Sequence, residues 1–154
     1  MLKKEHGKDE ERVAIRSVGG REQRVALIAD GYFILRHVGR RAHFFIEVDR
    51  STVSNKRWMQ KVRAYMAYYR SGQYQARYQT RSLRVLTVTT SQKRLANLKA
   101  ATEQTGAGPM FWFTTFDLVN TENVLSTPIW QVAGGQGNYA LIEPTTPPPV
   151  SPPV

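Results

Sequence analysis

Two carboxylates, Glu47 and Asp49, stand two residues apart in the stretch HFFIEVDRSTVSNK, whose opening is one of the most apolar runs in a basic chain. An isolated carboxylate is costly to place in apolar surroundings, so each must be ion-paired, hydrogen-bonded or holding a cation. The run reads as a strand, in which side chains two apart share a face. Glu47 and Asp49 then project together, while Phe44, Ile46 and Val48 face the other way. Asp30 comes seventeen residues before Glu47, between an apolar strand, RVALIAD, and a Gly31 that permits a bend before GYFILRHV. If the two strands around that bend are neighbours in one sheet, Asp30 approaches Glu47. Three carboxylates converging at a sheet edge repel one another unless a cation lies between them, and an all-oxygen set suits Mg2+ or Mn2+. Such an ion polarises a phosphodiester and lowers the pKa of an attacking water. A cation-free reading stays open beside it, in which Glu47 and Asp49 pair with arginines such as Arg36, Arg40, Arg41 or Arg63.

These residues need elements to position them. RVAIRSV alternates in a way that partly suits a strand, and Gly19-Gly20 marks a turn. The runs ending at Val38 and starting at His43 flank a glycine-containing loop and predict a hairpin. After Ser51 the period changes from two to about 3.6. Ser54 or Asn55 caps a helix starting near Lys56, with Trp58, Val62, Tyr65 and Tyr69 on one stripe that Met59 and Met66 widen. QYQARYQTR is ambiguous, a helical turn leading into a loop. LRVLTVTT is rich in β-branched residues and reads as a strand. It feeds a helix capped by Ser91, whose stripe runs through Leu95, Leu98 and Ala101 or Thr102, and MFWFTTF supplies the next strand. Antiparallel strands, helix, strand, helix and strand in that order predict an α/β (α+β) fold, a mixed sheet with flanking helices. Strand 83–90, helix and strand 110–116 make a right-handed crossover.

Lys plus Arg number 22 against 12 Asp plus Glu, a formal charge of +10 over 154 residues. That excess favours a polyanion, usually nucleic acid, because neutralising phosphates releases counterions. Arg57, Arg63, Arg70, Arg77, Arg81 and Arg84, interleaved with tyrosines through Tyr78, make a basic surface with aromatic stacking partners, Tyr65 and Tyr68 among them. A solvated helix face is the plainer account of the same residues. With no cysteine, Cys-based zinc sites and disulfides are excluded. His6, His37 and His43 are scattered; the last two could face each other across the hairpin, but without a third ligand they make a poor zinc site. VAGGQGNY lacks the lysine and the strand–helix setting of a phosphate loop and reads as a flexible loop. Ser/His/Asp catalysis has no nucleophile-elbow motif behind it. A tyrosine relaxase would want a histidine-rich metal site, so Tyr65, Tyr68 and Tyr69 read first as packing. No run approaches a membrane span or a signal-peptide core, which predicts a soluble cytoplasmic protein. Residues 1–23 form a charged segment with a first strand, residues 24–142 the α/β domain, and residues 143–154 a proline-rich disordered tail.

An Asp beside one strand, a β-turn, then an acidic triplet on the next strand, here IADGYFIL and FFIEVD, resembles the PD-(D/E)xK nuclease superfamily. The resemblance implies a restriction-endonuclease-like sheet, with Asp30 and Glu47 as catalytic carboxylates and Mg2+ or Mn2+ as cofactor. Asp49 stands where that pattern has its lysine. Lys61 on the following helix is the substitute, with Lys56 as the alternative; Lys61 shares a face with Tyr65 and Tyr68 at spacings of four and seven. From Leu27 to Trp130 the ordered series ADGYFIL, FFIEVDRST, KVRAYMAYYRSGQY, RVLTVTTSQKRLANL, FWFTTFDL and PIW is similar to the replication-relaxation family of plasmids and mobile elements. That resemblance implies DNA, and a replication or winged-helix protein, as partners. Such proteins typically carry a winged helix upstream, for which there is little room before Arg24, so the chain resembles the second half of one, a stand-alone relative or a fragment. The enzymatic expectation is a metal-dependent DNA nicking endonuclease. The alternative is a non-catalytic DNA- or protein-binding module on a degenerate nuclease fold.

Overall fold

A computed structural model describes residues 11–16 and 20–142. Residues 1–10 of the expected charged segment, with His6, then Gly19 and the proline-rich tail therefore lie outside the described residues. Strands β1 (Glu11–Arg16) and β2 (Glu22–Leu27) pair antiparallel as a sheet of their own. The main sheet has the order β3 (Gly31–His37), β4 (Arg40–Val48), β5 (Arg84–Thr89), β6 (Phe111–Thr115) and β7 (Gln131–Val132). β3 runs antiparallel to β4, β5 and β6 run parallel to it, and β7 is antiparallel to β6. Helices α1 (Asn55–Arg70) and α2 (Gln73–Tyr78) connect β4 to β5, and α3 (Gln92–Gln104) connects β5 to β6. This is the expected mixed sheet with flanking helices. One expectation is corrected. The strand before Asp30 is not a neighbour of the strand after it, because β2 pairs with β1 and packs over α1, and the chain changes sheets at Ile28–Asp30.

Two apolar layers follow from the two faces of the main sheet. Phe45, Val85, Phe111 and Phe113 meet Trp58, Val62 and Tyr65 of α1, Leu95 and Leu98 of α3, and Val13, Ile15 and Leu27 of the small sheet. Since β1 contributes to this layer, a boundary after residue 23 would cut through β2 and through one core. On the other face Phe44, Leu86 and Trp112 pack under the segment carrying Ile129, Trp130 and Leu141. Helix α1 begins where Ser54 accepts a hydrogen bond from the Arg57 amide, satisfying one of the end amides a helix leaves unpaired. Its buried stripe takes in Trp58, Val62, Ala64, Tyr65 and Tyr68. Tyr68 replaces the expected Tyr69, because the stripe turns towards both the sheet and Tyr74 of α2. The indole of Trp58 donates to Thr102 Oγ1 at 2.9 Å and ties α1 to α3. The glycine-rich stretch after β7 is held more firmly than a flexible loop: Trp130 and Tyr139 exchange backbone hydrogen bonds across it.

Candidate functional site

Glu47 of β4 and Asp49, just past its end, do share the face that packs against the helices, and both are buried, at 3 % and 5 % exposure. They are stabilised by different means. Lys61, reaching down from the middle of α1, donates to Glu47 Oε2 at 2.5 Å, and the hydroxyl of Tyr65, one turn further along, donates to Oε1. The spacing of four between Lys61 and Tyr65 puts both groups on one side of the helix, above one carboxylate. Asp30 closes the cluster from the sheet side: its amide donates to Ile46 O at 3.0 Å, and its Oδ2 accepts from the Val48 amide at 2.8 Å. It thus brackets Glu47 in sequence on β4. Burial is the largest influence on Glu47 and raises its pKa; the charge of Lys61 and the hydrogen bonds from Lys61 and Tyr65 oppose this, and the charge of Asp30 adds to it. Burial and the neighbouring Glu47 carboxylate push the Tyr65 phenol well above its usual range, so it stays a donor.

Asp49 turns away from this group. Arg94, from the first turn of α3, grips it with two parallel bonds, Nε to Oδ2 at 2.8 Å and Nη2 to Oδ1 at 3.0 Å. Thr89 adds a hydroxyl to Oδ2 at 2.6 Å, and Arg94 Nη2 also reaches Val53 O at 2.6 Å. Burial pushes the Asp49 carboxyl up, but the hydrogen bonds from Arg94 and Thr89 together with the guanidinium charge outweigh it and hold the pKa below its ordinary value. The planar fork of arginine suits such two-point binding of a carboxylate. Asp49, expected from the sequence as a metal ligand, thus has both oxygens engaged by Arg94 and Thr89. Among the described residues no three of His, Cys, Asp and Glu gather where they could hold a metal ion.

The arginines named from the sequence as ion-pair partners do not play that part. Arg36 and Arg41 face each other near the far end of the β3–β4 hairpin, Arg40 faces His37 there, and Arg63 lies on another side of α1. His43 aligns with Ile34, so the two histidines do not meet; its Nδ1 is hydrogen-bonded by the Tyr32 hydroxyl. Of the expected nucleic-acid surface, Arg57, Arg70 and Arg81 are exposed and Arg63 is half-buried. Arg63 and Arg70 line a cleft of about 370 Å³ with Met66, Ala67 and Ile15. Arg77 is committed to Glu11. Tyr65 and Tyr68 are each only 1 % exposed and present no ring face for a base, a correction that follows from their packing between α1 and the sheet. Lys56, the alternative lysine, is exposed in the first turn of α1, and Lys61 and Tyr65 are the side chains that donate to Glu47.

Sequence reasoning missed Arg94 and Thr89. Arg94 sits three residues after the Ser91 cap, a first-turn position whose side chain stays near the ends of the parallel strands, but nothing local marks its partner 45 residues upstream.

Fold and site together define a mixed α+β protein with a lysine–carboxylate cluster, centred on the buried Glu47, between the central helix and the antiparallel hairpin of its sheet. The family model described as Replication-relaxation matches residues 3–83, a little over half of the chain. The chain belongs to the replication-relaxation family, and its role is a replication-related one of plasmids or mobile elements. The matched span contains Asp30, Glu47, Asp49 and Lys61 and ends before β5, whereas the likeness read from the sequence continues to Trp130. Comparison with curated proteins and with solved structures gave no match. No helix among the described residues is long and apolar enough to cross a membrane.

Proposed function

We propose that this chain engages DNA and that Asp30, Glu47 and Lys61 form a metal-assisted phosphodiester-nicking site on a PD-(D/E)xK-like scaffold. The observation that carries the reading is Lys61 Nζ on Glu47 Oε2 at 2.5 Å, made by a lysine from the helix after β4 in place of the one the strand lacks. Two carboxylates fit Mg2+ or Mn2+, which keep several waters and take one or two acidic ligands in sites of this kind; Asp30 and Glu47 would supply them. A divalent ion there would polarise the scissile phosphate and lower the pKa of its bound water. Lys61, about one-third exposed at its side chain, would stabilise the charge that grows on the pentavalent phosphorus. Tyr65 would hold the Glu47 carboxylate in one orientation. Exposed Arg57, Arg70 and Arg81, with Arg63 in its cleft, would hold the phosphate backbone.

Supercoiled plasmid incubated with the protein and Mg2+ or Mn2+ tests this. The expected result is an open-circular product that a chelator abolishes and that Glu47→Gln or Lys61→Ala reduces by roughly 10²-fold or more. A second reading has its own support: both Glu47 oxygens already have protein donors, as they would in a non-catalytic binding module on a degenerate nuclease fold. Absence of nicking with salt-sensitive DNA binding intact selects that module.

A further inference from the structure

The β3–β4 hairpin ends in a concentration of positive charge that the Glu47 cluster does not use. Its register places Arg36 directly opposite Arg41 and His37 directly opposite Arg40, with Val38 and Gly39 at the turn. Like charges directly opposite on antiparallel strands destabilise the pair. None of these four side chains makes an ion pair among the described residues, and all four are exposed. A single charge would be enough to guard an edge strand against aggregation, so doubling it across the ladder points to an anionic partner. The turn has a second peculiarity. Val38 and Gly39 both have positive φ, 49° and 72°, as a two-residue hairpin turn requires. Asn is the usual first residue there; a β-branched side chain is strained in that conformation. The side chain kept at this cost is 74 % exposed, an apolar tip standing between basic flanks.

We propose that the β3–β4 tip is a DNA-gripping arm, in which Arg36 and Arg41 bind phosphates and Val38 leads into a groove. A two-stranded ribbon has the width to enter the major groove of a duplex. The inference rests on the DNA-engaging part of the proposed function but not on catalysis. Glu47 lies six residue steps along β4 from Arg41, roughly 20 Å at the rise of a strand. Where nicking occurs, the arm would therefore touch DNA about six base pairs from the cut.

The test is binding of a fluorescein-labelled 30-base-pair duplex, followed by anisotropy over a salt series, for the native chain and for Arg36→Gln/Arg41→Gln. Exposed arginines replaced by glutamine leave the core untouched, and circular dichroism checks that the variant is folded. The expected result is affinity about tenfold or more weaker at 0.1 M salt, with the slope of log affinity against log salt smaller by about two. Equal affinity and slope in the two proteins would overturn the arm while leaving DNA binding standing; no binding by the native chain at low salt would overturn both. Because the chain has no cysteine, Val38→Cys carries a single tethered iron–EDTA as the second measurement. Localised scission of the duplex supports the arm, and uniform or absent scission overturns it. Localised scission of the duplex by the tethered variant, with supercoiled plasmid left intact by the native chain and Mg2+, keeps the arm and removes the nuclease reading. Vesicles containing phosphatidylserine serve as the other arm: loss of vesicle binding in the double variant, with DNA binding unchanged, assigns the tip to a lipid surface and overturns the proposal.

Discussion

Glu47 and Asp49 are two residues apart on one strand face and almost equally buried, yet their surroundings drive them in opposite directions. Asp49 is held by a fixed, planar guanidinium and a threonine hydroxyl, so its charged form is favoured. Glu47 faces a lysine about one-third exposed, a phenol and a second carboxylate, and its charged form is disfavoured by burial beyond what those donors return. At Asp49 the guanidinium and hydroxyl donors outweigh burial and lower the pKa; at Glu47 burial outweighs the lysine and phenol donors and raises it.

The sharpest way to break this comparison is kinetic. If Glu47 is the poised group, Glu47→Gln reduces nicking by roughly 10²-fold or more, while Asp49→Asn, scored per folded molecule, leaves it within a few-fold. Plasmid nicking assays on the two variants check this, and equal losses would erase the distinction.

On stability the ranking reverses. Arg94→Ala leaves the Asp49 charge buried without its partner and is expected to cost about 3 kcal/mol, measured as a shift in the urea midpoint. Replacing the pair together, Asp49→Leu with Arg94→Met, recovers most of that loss, since breaking a buried pair is costlier than removing it. Glu47→Gln changes stability by less than about 1 kcal/mol in either direction, because it removes a disfavoured charge along with one ion pair.

The pH dependence follows with opposite signs. Glu47 has a folded pKa above its ordinary 4.5, so the folded form holds the proton more tightly. Its contribution to stability is therefore greatest at or below pH 4.5 and declines as pH rises through the folded value. Asp49 lies below its ordinary 3.8, so its contribution is present above that pH and is lost as pH falls through the folded value. Urea midpoints against pH for the native chain, Glu47→Gln and Asp49→Asn check both: the first variant loses the decline above pH 4.5, and the second loses part of the acid sensitivity below pH 3.8. The smallest expected effect concerns the hairpin tip, away from both carboxylates. Val38→Asn relieves the left-handed strain and is expected to stabilise by about 1 kcal/mol, read as a rise in Tm.

Much of this arrangement is legible in the residues themselves. The β-branched run at 84–89, the caps at Ser54 and Ser91, and the change of period after Ser51 locate β5, α1 and α3, because strand alternation, helix stripes and capping are local properties. The same logic puts Glu47 and Asp49 on one face and brings Lys61 within reach of Glu47, since the chain turns straight from β4 into α1. Local patterning could not decide that β2 leaves the main sheet, that Tyr68 takes the buried place expected of Tyr69, or that Arg94 claims Asp49. Each of those depends on which elements pack side by side, and strand pairing and helix docking are settled by burial across dozens of residues. The sequence by itself determined that two carboxylates would be buried and would need partners. Which partners they received depended on packing: parallel pairing of β4 with β5 carries the start of α3, and with it Arg94, to the end of β4, while α1 sets Lys61 and Tyr65 over Glu47.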